Sequence, residues 1–68
     1  MLKINLAAAR VNKGMTQRAA AKELEISTKT LQNWEKGASF PNMQKIDEIC
    51  DLYGVSVDNL IFLPQKNA

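Results

Sequence analysis

The chain has 68 residues, a formal net charge of +2, no histidine, one cysteine and one tryptophan. A chain this short buries only about 60% of the surface it exposes when unfolded, which excludes a cavity walled on all sides, a two-domain cleft and the supporting shell that most catalytic constellations need. With no histidine and a lone Cys50, neither a zinc site nor a disulfide framework can be assembled within it, so no enzyme activity, no metal and no cofactor are expected.

Low aromatic content, three glycines and two prolines leave little material for the tight turns of a small barrel. The expected fold class is all-α, five short helices in one domain spanning residues 1–68. The first helix runs from about Asn5 to Asn12 and stops at Gly14, which suits the left-handed position past a helix end. In the second, Thr16 caps a segment that reaches Leu24 through Ala19, Ala20 and Ala21. Ser27 opens the third, which ends at Lys36 and Gly37. Pro41 and Asn42 open the fourth, where Ile46, Ile49, Cys50 and Tyr53 fall at i, i+3, i+4 and i+7, a helix-period stripe. Gly54 closes it, and Val55 and Ser56 open a fifth carrying Val57, Leu60 and Ile61.

Three of these starts share one device. At Met15-Thr16…Ala20, Ile26-Ser27…Leu31 and Val55-Ser56…Leu60, an apolar residue precedes a hydroxyl cap and a second apolar residue follows four positions later. This is a hydrophobic staple, which sets the angle at which the chain enters a helix. Only Glu25 and Ile26 separate Leu24 from Ser27. Helices joined that tightly cross steeply, so a helix-turn-helix is expected at about residues 16–36.

The charge is polarised along the chain. Residues 1–45 carry eight basic and three acidic side chains, net +5, and residues 46–68 carry Lys66 against four acids, net −3. Such asymmetry points to one face that meets a polyanion. The third helix sharpens this. At about 100° per residue, Trp34 and Leu31 fall on one side, which must be core, while Thr28, Lys29, Gln32, Asn33 and Lys36 form a continuous arc with no carboxylate. A plain solvent-facing arc commonly mixes both signs. Amides suit the donor and acceptor pair of adenine, lysine the acceptors of guanine and a threonine methyl that of thymine, so the inventory is one for reading a DNA major groove. Glu35 is the one acid of this helix and lies at the margin of the arc. Arg10 is its expected partner, a partly buried pair bracing the first helix against the third; the alternative is that both are simply solvated.

The run Gly14-Met15-Thr16-Gln17…Ala21…Leu24…Ile26-Ser27…Thr30-Leu31…Trp34-Glu35-Lys36-Gly37…Pro41…Ile46…Leu52-Tyr53-Gly54-Val55-Ser56-Val57-Asp58…Leu60 closely resembles the XRE family, the helix-turn-helix domains of lambdoid phage repressors and Cro proteins. The resemblance covers about Ile4 to Leu63. It implies a lambda-repressor-like domain of five helices, a transcriptional regulator that is a repressor of phage or mobile-element type, and a homodimer on a pseudo-palindromic double-stranded DNA operator. Carried over by position, it implies base contacts from Thr28, Lys29 and Asn33, with Gln32 next in line. It implies phosphate contacts from Gln17, which can also brace a side chain of the third helix, and from the segment Lys36 to Met43; Thr16, Arg18 and Asn42 join the candidate phosphate set. Arg10 and Glu35 fall where some relatives form an ion pair. Two departures stand out: Glu25 occupies a turn position that is usually glycine, and Ala20 one that is usually leucine.

The end of the chain is strongly apolar over residues 57–63. Either Phe62 and Leu63 fold back on the first helix near Leu2 and Ile4, or Leu60, Phe62 and Leu63 meet a second chain in a dimer. Residues 64–68 read as a frayed tail, and no effector or cleavage domain is expected unless the chain is a fragment of a longer regulator. With no long apolar run behind a basic stretch, neither a signal peptide nor a membrane-spanning segment is expected, and a cytoplasmic protein is the expectation that an unpaired cysteine fits. A different class of function, an antitoxin or adaptor module that captures a protein through this apolar end, is the alternative to DNA binding.

Overall fold

Capping chemistry places four of the five expected helices. In the computed structural model, which describes residues 3–62, α1 spans Leu6–Asn12, α2 Gln17–Leu24, α3 Thr28–Lys36 and α4 Met43–Tyr53. Each is preceded by an extended residue whose side-chain oxygen accepts from the amide three positions on: Asn5 from Ala8 at 2.8 Å, Thr16 from Ala19 at 3.0 Å, Ser27 from Thr30 at 3.0 Å and Asn42 from Lys45 at 2.9 Å. Such caps contribute about 1 kcal/mol each, a large share of the stability of so small a chain.

The fifth helix does not form. Val57–Asn59 makes a single 3-10 turn, and Ser56 gives it no side-chain cap. Leu60–Ile61 then extends as a strand, β2, which pairs in parallel with β1 (Ile4–Asn5), Ile4 opposite Leu60 and Asn5 opposite Ile61. A β-branched valine followed by aspartate and asparagine is poor helix material, and the strand pairing gives the backbone of Leu60 and Ile61 another set of partners. Lys3 Nζ adds a bond of 2.8 Å to the Asp58 carbonyl. The first helix accordingly starts at Leu6 rather than Asn5, because Asn5 both ends β1 and caps α1.

The core lies where the four helices and β2 converge. Leu24, Leu31 and Ile49 are its largest fully buried side chains, joined by Leu6, Ala9, Ala20, Ala21, Trp34, Tyr53 and Leu60. The apolar members of the staples, Met15, Ile26 and Val55, pack against it from the edges. Between α2 and α3, Glu25 takes the left-handed conformation at φ 58° and ψ 44°. A side chain there costs on the order of 1 kcal/mol relative to glycine. The turn is held by bonds from the Glu25 amide to the Lys22 carbonyl and from the Ile26 amide to the Ala21 carbonyl, at 3.1 and 3.0 Å, the arrangement that closes many helix ends. Lys45 reaches across from α4 to the last carbonyl of α2, Leu24, at 2.7 Å.

Tyr53 is buried, and its hydroxyl meets no hydrogen-bonding partner among the described residues. Burial pushes its pKa up to about 12, with the charge of Glu35 adding to the rise and that of Arg10 opposing it. The unfolded chain loses this proton near the ordinary value of about 10, so the stabilisation from keeping the phenol neutral is complete below that pH and is lost as pH rises toward 12. Because the chain has one tyrosine, phenolate absorbance reads the group directly. The expected titration midpoint lies near 12, and Tyr53→Phe should flatten the alkaline loss of thermal stability without lowering stability at neutral pH. A midpoint near 10 in the folded chain would contradict this.

Candidate nucleic-acid interface

The two sides of α3 are as different in the structure as in the sequence. Leu31 and Trp34 are buried in the core, Thr28, Gln32 and Asn33 are half-buried, and Lys29 and Lys36 are exposed. The helix ends at Gly37, which takes φ 82°, a conformation that glycine reaches without penalty. The Gly37 and Ala38 amides then bond the carbonyls of Trp34 and Asn33 at 3.3 and 2.9 Å, and the chain turns through Pro41 to the Asn42 cap of α4.

An open groove of about 510 Å³ runs between α2 and the start of α3, lined by Thr16, Arg18, Lys22, Ser27 and Thr28 among others. Arg18 and Lys22 stand one turn apart on α2. Their side chains, like those of Lys29 and Lys36, make no ion pair or hydrogen bond with any described residue. The remaining cations of this half are mostly committed to the fold: Arg10 to Glu35, Lys45 to Leu24 and to Glu48 at 3.0 Å, and Lys3 to Asp58. The cations left over thus concentrate on α2, α3 and Lys13 at the end of α1.

Glu35 lies deeper than its marginal position on α3 implies. Its side chain is 7% exposed and that of Arg10 14%. Arg10 Nε donates to Glu35 Oε2 at 2.7 Å and Nη2 to Oε1 at 3.3 Å, while Nη1 donates to the Met15 carbonyl at 2.9 Å. The hydrogen bond to Glu35 raises the Arg10 pKa above its ordinary value against the lowering effect of burial. Gln17 Nε2 donates to Glu35 Oε1 at 2.9 Å, and Gln32 Nε2 donates to Gln17 Oε1 at 3.4 Å. A continuous polar chain therefore links α1, α2 and the outward side of α3.

The other candidate residues are more dispersed. Thr16 and Asn42 spend a side-chain oxygen on capping, and both stay exposed at helix starts. Leu60 is buried in the core of its own chain, and Phe62 packs against that core and meets Phe40 edge-on, with ring centroids 6.2 Å apart. Leu63 lies outside the described residues, as do Leu2 and the expected tail at 64–68. Phe40, Met43, Val57 and Ile61 are the large apolar residues that stand exposed in the C-terminal half among the described residues. Sequence reasoning missed the contact of Lys45 with α2, which no local pattern announces. The resemblance had Gln17 bracing a side chain of the third helix; the side chains it bonds there are Glu35 and Gln32. No described helix is long and apolar enough to cross a membrane.

The profile of a family described as helix-turn-helix matches residues 6–60. The chain is also similar to the HTH-type transcriptional activator BcrR of Enterococcus faecalis, with 33% identity over 52 residues, or 76% of this chain and 26% of that protein. It therefore spans about a quarter of the length of this relative. No solved structure matches it significantly.

The buried pair sets a stability test. Removing one partner leaves the other charge buried and unpaired, which costs about 3 kcal/mol, whereas replacing both with apolar side chains is commonly close to neutral. Urea unfolding should show Arg10→Met destabilised by about that amount and the double variant Arg10→Met, Glu35→Leu recovering most of it. Equal, small effects of the single and double variants would show that the pair is solvated.

Proposed function

The chain belongs to the helix-turn-helix family, of the XRE type that its motifs resemble, and from that premise we propose that it binds double-stranded DNA sequence-specifically and regulates transcription. In this reading α3 enters the major groove. Thr28, Lys29, Gln32 and Asn33 face base edges, with lysine suited to guanine acceptors, the amides to adenine and the threonine methyl to thymine. Thr16, Gln17, Arg18, Lys36 and Asn42 meet phosphates on either side and fix the register of α3 without reading sequence. The observation that carries the reading is the outward side of α3, whose charged residues are two lysines, Lys29 and Lys36, without an ion-pair partner among the described residues.

One helix reads only a few base pairs, so the operator is pseudo-palindromic and a homodimer combines two half-sites about one helical turn apart. The exposed apolar residues near Phe62, Ile61 above all, supply the second-chain contact. Occupancy of such an operator blocks a promoter, which makes a repressor of phage or mobile-element type the favoured regulator. One observation favours activation instead: the similar protein of E. faecalis is named an activator. A promoter reporter with and without the chain decides the sign. An antitoxin or adaptor that binds protein alone needs no acid-free arc on α3.

Selection from a random duplex pool should enrich one half-site in inverted repeat, with affinity that falls steeply as salt rises. On variants of that operator, Lys29→Ala and Asn33→Ala should relax the preference at single base positions, each by roughly 1–3 kcal/mol. Arg18→Ala and Lys36→Ala should weaken all sites alike and lower the salt slope by about one each. Unaltered ranking of the operator variants by Lys29→Ala and Asn33→Ala would exclude α3 as the reading element.

A further inference from the structure

We propose that Glu35 is a positioning residue that sets, through Gln17, which way round the Gln32 amide is presented to a base. The inference rests on the reading of α3 as the helix that meets base edges. Glu35 touches no base itself. Its carboxylate is pinned by two donors of Arg10 at 2.7 and 3.3 Å, and a carboxylate can only accept.

Gln17 must therefore turn its Nε2 toward Glu35, and it does so at 2.9 Å. That leaves Gln17 Oε1 on the side of α3, where it too can only accept. Gln32 answers with its own Nε2, at 3.4 Å, which leaves Gln32 Oε1 and a second N–H free at the outer edge. The two ends of an amide are almost the same size, so packing alone chooses poorly between its two orientations. Here the choice is made two bonds back, by the nearly buried carboxylate of Glu35. An acceptor beside a donor complements the N6 amino group and N7 of adenine, and an amide already turned the right way loses less freedom on binding.

The relay can be inverted by one substitution. In Glu35→Gln, the donors of Arg10 claim the oxygen of the new amide, so its NH2 faces Gln17. Gln17 then turns over and offers Nε2 to α3, and Gln32 turns over in response. Its outer edge becomes N–H donors alone, which suits the N7 and O6 acceptors of guanine.

The test measures binding of the full chain to a duplex panel carrying each of the four base pairs at every position of the selected half-site. The wild-type chain should prefer adenine at one position by about tenfold, and Gln32→Ala should abolish that preference. Glu35→Gln should move it toward guanine at the same position and leave the others unchanged. Gln17→Leu cuts the relay without touching the ion pair, which keeps the test open where Glu35→Gln does not fold; it should reduce the preference severalfold. Arg10→Lys weakens the pair but leaves the carboxylate as acceptor, so it should lower the thermal midpoint and keep the ranking. A merely structural Glu35 would make Glu35→Gln behave like Arg10→Lys. Wild-type ranking in both Glu35→Gln and Gln17→Leu, with the preference lost in Gln32→Ala, would overturn the relay while the DNA reading stands. Unchanged ranking in Gln32→Ala would overturn it as well, and a wild-type chain without any base preference would remove the DNA reading and the relay together.

Discussion

Where α1, α2 and α3 meet, a guanidinium and a carboxylate stand 2.7 Å apart with little solvent around either. Taking two charges out of water is costly, and the cost is offset only when every donor and lone pair nearby is used. Here Arg10 spends its remaining reach on the Met15 carbonyl at the entry to α2, and Glu35 accepts a further bond from Gln17. The pair thus ties together three helix segments that the apolar core alone would hold only by shape. A core whose largest fully buried side chains are Leu24, Leu31 and Ile49 has little surplus with which to fix an angle. Directional bonds do that, and they leave α3 with a defined pose.

The same economy explains how charge is distributed. A net charge of +2 conceals two classes of cation. Arg10, Lys45 and Lys3 satisfy a carboxylate or backbone carbonyls, and they would be missed by the fold if removed. Arg18, Lys22, Lys29 and Lys36 hold nothing in place among the described residues, which leaves their charge available to a polyanion. Arg18 and Lys22 line the groove between α2 and α3, and Lys29 and Lys36 share the outward side of α3.

What the sequence disclosed follows from the range of the forces involved. Caps at Asn5, Thr16, Ser27 and Asn42 and left-handed glycines at helix ends act over three or four residues, so the bounds of α2 and α3 were readable to the residue. Glu25 stood out only through the resemblance, as a position that is usually glycine, and its left-handed φ of 58° is the conformation that glycine reaches without penalty. The fifth helix was misread for the opposite reason. The staple at Val55 and Leu60 is a local helix signal, but it competes with a backbone ladder to Ile4 and Asn5, more than fifty positions away. The Arg10–Glu35 partnership was within reach, since an acid at the edge of an otherwise acid-free arc needs a cation. The contact of Lys45 with Leu24 depends on how α4 lies across α2, and no periodicity in either helix carries that information.

The caps, the core and the buried pair together hold α3 with its polar side outward, where the proposed reading has it meet DNA. Backbone amide shifts of the 68-residue chain, recorded free and then with its selected duplex, test this most directly. The account predicts that the changes concentrate at the start of α2, along α3 from Thr28 to Lys36 and at the start of α4, with Ile49 and Tyr53 in the core nearly still. Changes centred instead on Phe40, Val57 and Ile61, with α3 unmoved, would contradict it.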